Sequence, residues 1–308
     1  MAVGLVAFST LATILAFFGG AWWGFDLLAN FRWHLMWAAL IAAVIYALTA
    51  RGIATIIFLV IVVVNGFILA PLWLGSQPEG TGEDGTTVVA IDLYGGTSDE
   101  EGTLRWLFDS GADVIIASGV SSQRLAPIVE DGSPYQVLAR PEFDDRSGII
   151  VLGAADYAVD QEITAGFAQQ IIRVTVPAGA GTVDIVTAWG EIANNQSKSD
   201  ALAERLEAVE SVVAASESPV AVIGSLGATR FASGMRSLLG SAGLRDATEG
   251  AGYKSTWPSS SIPIVGGWIG IPLDVVLMTE GITPFEFETG PDLGSSHLPI
   301  TVVVGPSQ

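Results

Sequence analysis

Charge is spread so unevenly along this chain that it divides the fold before any motif is read. Residues 1–75 carry three charged side chains, Asp26, Arg32 and Arg51, whereas residues 76–308 carry 11 basic and 31 acidic ones, a net charge of −20. Residues 1–25 are uncharged, the 18 residues between Arg32 and Arg51 are uncharged apart from a His34 proton, and residues 52–78 are uncharged again. Each stretch reaches the roughly 20 residues that carry a helix across a hydrocarbon core, where a backbone must satisfy its own hydrogen bonds. The pattern therefore predicts three transmembrane helices within residues 1–75. Five of the nine tryptophans, Trp22, Trp23, Trp33, Trp37 and Trp73, fall near the expected helix ends, where an indole faces headgroups with its N–H and tails with its ring. His34 beside Trp33 is read the same way, as interfacial. A cleaved signal peptide fits less well, because no basic segment precedes the first apolar stretch and no small-residue cleavage site precedes Trp22-Trp23.

Three spans place the two termini on opposite sides. Asp26 and Arg32 balance the first loop, so Arg51 in the second decides the orientation. The positive-inside rule then puts the amino terminus in the cytoplasm and residues 76–308 outside. The expected location is the plasma membrane, multi-pass, with an extracytoplasmic C-terminal domain.

A domain this acidic repels polyanions, so nucleic acid is not an expected partner. Acidity with only two lysines, Lys198 and Lys254, also suits a salty medium and says little about substrate. Cysteine is absent, which removes disulfides, zinc-thiolate sites and thiol catalysis.

Residues 76–87, rich in Gly, Pro and acid, read as a flexible linker, and residues 88–308 as the domain. Strands are expected at 88–93, 113–117, 147–152, 170–176, 182–189, 219–224, 273–278, 284–289 and 299–304, each a short apolar or alternating run. Ser98 and Glu101 have the spacing of a capping box for a helix carrying Leu104, Leu107 and Phe108. Leu202, Leu206, Val209 and Val213 form one apolar stripe, with Glu204, Arg205, Glu207 and Glu210 between them. A further helix is expected over 230–242. Strands alternating with helices predict an α/β layered sandwich.

Several segments carry a resemblance. VVAIDLYGG, ADVIIASGV, DIVTAWGEI, VIGSLGATR, PLDVVLM and GSSHLPI follow the order of strand-end motifs in the endonuclease/exonuclease/phosphatase superfamily. There an opening strand ends in Asn, "ADVVALQE" supplies a metal-binding Glu, a later strand ends in His, and "GDFNAT", "IDHVL" and "GSDHRP" follow. With the amino-terminal helices, the chain resembles the membrane-anchored bacterial branch that includes teicoplanin-resistance membrane proteins. The resemblance covers about residues 86–306 and implies a four-layer α/β/β/α sandwich with Mg²⁺-dependent phosphoester hydrolysis.

Carried over residue by residue, the family's Asn is Asp92, its metal-binding Glu is Gly119, its strand-end His is Trp189, and the Asp and Asn of "GDFN" are Ser225 and Gly227. The Asp of "IDHVL" is kept as Asp274; the Asp of "SDH" is Ser296 and its His is kept as His297. Mg²⁺ takes carboxylate and water oxygens, and Gly119, Ser225 and Gly227 offer no carboxylate. Without metal, the charge neutralisation that dominates phosphoryl chemistry is missing.

Asp274 and His297 match the family's catalytic dyad, in which the carboxylate orients the imidazole. Here they read either as a residual phosphate-binding spot or as a hydrogen-bonded structural pair. Asp92 is either a lone metal ligand or a hydrogen-bonded carboxylate. Trp189 and Trp257 either line the cleft or pack in the core. Glu142, Asp144 and Asp145 form an acidic loop without the ligand spacing of a calcium loop. The apolar segment 262–270 either touches lipid or a partner, or covers the sandwich.

The expected function is a degenerate phosphohydrolase acting as an envelope binding module, without a cofactor, whose partners are the membrane and a lipid-linked phosphate or an envelope protein. The alternative is an active Mg²⁺-dependent phosphohydrolase with a rearranged site.

Overall fold

The computed structural model describes residues 2–49, 52–75, 85–120, 134–139, 148–154, 160–166, 169–259 and 269–306. Arg51, the acidic loop at 142–145, residues 76–84 of the linker and residues 262–268 of the apolar segment lie outside them.

The apolar part folds as α1 (Ala2–Leu15), a 3-10 turn (Ala16–Ala21), α2 (Trp23–Ala29), α3 (Arg32–Thr49), α4 (Ile53–Leu69) and a short α5 (Pro71–Leu74). Among the described residues, only α3 meets the length and composition of a membrane span; the apolar helices Phe8–Ala21 and Ile53–Leu69 are shorter. Three full-length spans are thus not what the helices provide. Ala39, Ala42 and Ala43 of α3 pack on Phe58 and Ile61 of α4, small side chains that let two backbones approach closely. Eighteen of the twenty-one exposed large hydrophobic side chains lie between Phe8 and Leu74, among them Leu48, Ile53 and Phe67, so the helices turn an apolar surface outward.

The two charges of the first loop do not meet. Arg32 is buried, donates to Asn65 Oδ1 at 3.3 Å and stacks 4.3 Å from the Phe17 ring centre. Asp26 points instead into the C-terminal domain.

That domain consists of two six-stranded sheets. One has the order β11 (Ile282–Thr289), β12 (Ile300–Pro306), β1 (Thr86–Asp92), β2 (Val114–Val120), β4 (Gly148–Ala154), β3 (Tyr135–Ala139). The other runs β5 (Asp160–Gly166), β6 (Gln169–Ala178), β7 (Gly181–Ala188), β8 (Val220–Ser225), β10 (Asp274–Met278), β9 (Arg245–Asp246). Their inner faces meet in a core that includes Val88, Ile116, Val151, Ile172, Ile185, Ile223 and Val302. Helix α6 (Glu100–Asp109) covers the first sheet through Leu107, and α7 (Gln196–Ala215) and α8 (Ser233–Ser241) cover the second through Leu202, Leu206, Val209, Met235 and Leu238. This is an α/β/β/α sandwich, with apolar stripes buried on both sides of each sheet.

Three local expectations change. The cap of α6 is Asp99, whose side chain accepts from Gly102 N–H at 2.9 Å, rather than Ser98. Strand β1 begins at Thr86, inside the segment read as linker. Arg205 is buried and donates to the Leu226 carbonyl at 3.0 Å. It lies three residues after Leu202 and four before Val209, and so belongs to the buried stripe rather than the polar face.

Helices and sandwich share a built interface. Asp26 Oδ1 accepts from Ser233 N–H at 2.6 Å and Asn30 Oδ1 from Thr229 N–H at 2.7 Å. The carbonyls of Pro71 and Leu72 accept from Gly250 and Gly252 N–H. Trp33 stacks on Tyr253 with ring centres 4.6 Å apart, and Leu69, Leu72 and Phe231 bury one another.

Candidate functional site

The site lies where topology brings strand ends together. β1 and β2 run parallel, as do β7 and β8, so Asp92, Gly119, Trp189 and Ser225 emerge at or just past carboxyl ends. β10 runs antiparallel to β8 with Asp274 opposite Ser225, and β12 antiparallel to β1 with Ile300 opposite Ala90. Those directions bring Asp274 and His297 to the same end, the edge at which α/β proteins place their ligands.

Asp92, His297 and Asp274 form one buried row. His297 Nδ1 lies 2.8 Å from Asp274 Oδ2, and its Nε2 lies 3.6 Å from Asp92 Oδ2. A carboxylate can only accept, so Nδ1 carries a proton. Asp92 is 2% exposed, and Asp274 and His297 are 5% exposed each. Two amide donors of Thr256 Oγ1, Leu273 N–H and Asp274 N–H, fix the start of β10 at 3.1 Å. The Ser295 hydroxyl donates to the Asp92 carbonyl and ties the His297 loop to β1.

Asp92 is held on both oxygens by neutral donors. Tyr94 N–H donates to Oδ1 at 2.8 Å and the Trp189 indole N–H to Oδ2 at 2.7 Å. Trp189, read from sequence as lining or core, is therefore a direct partner of Asp92; its ring packs on the core between the sheets and 5.2 Å from Tyr94. The sequence does not pair the two; only the resemblance, which puts Trp where the motif has His and Asp where it has Asn, could have suggested that a buried carboxylate there takes an indole donor. Trp257 stands 6.5 Å from the His297 ring.

Burial is the main force on both titrating groups and acts in opposite directions. It raises the Asp92 carboxyl, with Asp274 adding to the rise, against His297 and the Tyr94 and Trp189 donors. It disfavours the charged His297 imidazole, but Asp274 and Asp92 together outweigh it and raise His297 above its ordinary value. The row thus favours a retained proton between the two carboxylates.

The substituted positions are closed to the groups the resemblance would put there. Gly119 has φ +68°, and a Cβ on it would stand 2.4 Å from Tyr94 N and 2.7 Å from Asp92 Oδ1. Gly227 has φ +90°, and a Cβ there would stand 2.4 Å from the Glu191 carbonyl. The Ser225 hydroxyl is buried and has no hydrogen-bond partner among the described residues. The donor set does not fit Mg²⁺, which needs several free carboxylate or water oxygens in octahedral array. Asp92 is occupied by N–H donors and Asp274 Oδ2 by His297. Among the described residues, no group of three or more acidic or histidine side chains is arranged to hold an ion. What the row can do is hold or pass a proton.

The layer order and the strand-end row of Asp92, His297 and Asp274 match a sandwich of the endonuclease/exonuclease/phosphatase type, and solved structures agree. TDP2 from D. rerio in complex with a single-strand DNA product superposes with TM-score 0.56 at 14% identity, covering 72% of this chain and 100% of that one. An endonuclease/exonuclease/phosphatase from Beutenbergia cavernae gives 0.54 at 12%, covering 73% and 72%. A family protein from Bacteroides thetaiotaomicron gives 0.54 at 10%, covering 71% and 94%. No family model matches the chain, and no curated protein matches it. At these identities the likeness establishes the fold.

Proposed function

We propose that this chain is a membrane-anchored binding module built on an endonuclease/exonuclease/phosphatase fold that has lost metal-dependent hydrolysis. The observation that carries this reading is Gly119: the position of the family's metal-binding Glu has a left-handed backbone and no room for a Cβ. Ser225 and Gly227 add no carboxylate, and Asp92 is bonded to Trp189 instead of free for metal. The outward apolar surface of residues 8–74 supports insertion in a bilayer. The segment carrying Asp26 and the end of α5 both touch the domain, so the apolar helices hold the sandwich at two points.

The test uses the full chain in detergent micelles. Calorimetric Mg²⁺ and Mn²⁺ titration, with hydrolysis assays on a phosphodiester and a prenyl pyrophosphate, is expected to be silent. Tight metal binding with turnover lost in Asp274→Ala would replace this reading with an active phosphohydrolase. Orientation is read by impermeant labelling of Ser76→Cys in the otherwise cysteine-free chain; labelling only after lysis would refute an extracytoplasmic domain.

A further inference from the structure

We infer that the recess between α5 and the start of β10 binds the phosphate of an anionic membrane lipid, with Lys254 as its cationic contact. This rests on the membrane-anchored reading above. The recess is shallow and lined by Leu72, Arg230, Asp246, Thr248, Lys254 and Asp274 among others.

Its place in the fold sets its depth. Gly252 N–H donates to the Leu72 carbonyl, and Tyr253 stacks on Trp33, which itself stacks on Trp73 with centres 5.6 Å apart. Stacked indoles at helix ends mark the headgroup layer, and Lys254 is the next residue in the chain.

Its charges are unequal in availability. Arg230 is engaged by Asp246 at 3.1 Å and Glu249 at 2.6 Å, and Asp274 by His297. Lys254 has no ion pair among the described residues, although the domain around it carries almost three acids for every base. A −20 domain held against an anionic bilayer is repelled by it. A half-buried lysine with no ion pair among the described residues, at headgroup height, supplies attraction where the two surfaces meet. An apolar wall from Leu72 beside that cation matches a headgroup joined to its acyl chains better than a soluble anion.

The experiment reconstitutes full-length protein in nanodiscs of zwitterionic lipid doped with phosphatidylglycerol and measures the anionic lipid retained after detergent extraction, by native mass spectrometry. Wild type is expected to retain it, Lys254→Ala to retain about fivefold less, Lys254→Arg to restore retention, and Arg245→Ala to match wild type. Retention independent of Lys254 overturns the proposal. So does stabilisation of micellar protein by inorganic phosphate alone, which would assign the recess to a soluble anion. Failure of the chain to enter nanodiscs at all overturns the membrane reading instead. Metal-dependent hydrolysis overturns the loss of catalysis and leaves the lipid result standing.

Discussion

Asp26, in the short helix α2 between α1 and α3, caps α8 from 207 positions away by accepting the Ser233 N–H at 2.6 Å. The residue in the cap position itself, Ala232, offers no side-chain acceptor. A helix start leaves N–H groups without intrahelical partners, and this one is completed by the apolar amino-terminal part of the chain.

Asp26→Ala is expected to destabilise the sandwich by about 1 kcal/mol, as for loss of a capping side chain. Asp26→Asn, which keeps the acceptor, is expected to lose only a fraction of that. Denaturant unfolding of the full chain in micelles reads both. Faster amide exchange at the first turn of α8 in the Ala variant locates the effect; unchanged exchange there would refute the cap.

The Asp92–His297–Asp274 row predicts a pH dependence. His297 is raised in the folded state, so its stabilising contribution is full below the unfolded value of about 6.5 and is lost as pH rises through the folded value. Asp92 is raised too, and a raised carboxyl likewise favours the fold at lower pH. Wild type is expected to gain stability relative to His297→Gln as pH is lowered from 8.5 to 6. A gap that widens toward high pH would contradict this sign.

Trp189→Phe keeps the ring and deletes the donor to Asp92 Oδ2. A buried acceptor that loses a partner costs about 1–3 kcal/mol. The Asp92 carboxyl should rise further, so the deficit is expected to be larger at pH 8 than at pH 5. A deficit equal at both would make Trp189 a packing residue only.

Gly119→Glu, which puts the carboxylate of the resembling motif at this position, is expected to be destabilising and not to create a Mg²⁺ site. Left-handed backbone costs an ordinary residue about 1–2 kcal/mol, and the Cβ contact with Tyr94 N adds to it. Gly119→Ala should carry most of the same loss, because the Cβ is the obstacle. A Mg²⁺-dependent rise in melting temperature for the Glu variant alone would overturn this account.

Much of the sandwich was legible from short apolar runs, because both sheets are buried on two faces and their strands need no polar alternation. The strand-end motifs located Asp92, Asp274 and His297 together. β9, two residues long, was beyond any periodicity. Arg205 was legible in principle: its spacing from Leu202 and Val209 puts it on the buried stripe, and only the habit of reading charge as exposure hid it. The Asp92–Trp189 bond joins residues 97 apart, and the Asp26 cap joins more distant ones still. Neither leaves a local pattern, although a solitary acid in an apolar segment already calls for a partner.

The bonds from Asp26, Asn30, Pro71 and Leu72 also decide how the cleft meets its surroundings. A domain on a leash searches a volume; this one is bolted, so its cleft keeps a constant height and tilt relative to the helices. Exchanging those helices for an unrelated segment would leave Ser233 and Thr229 without their acceptors and free the domain to tumble, so helices and sandwich have to be inherited as one part.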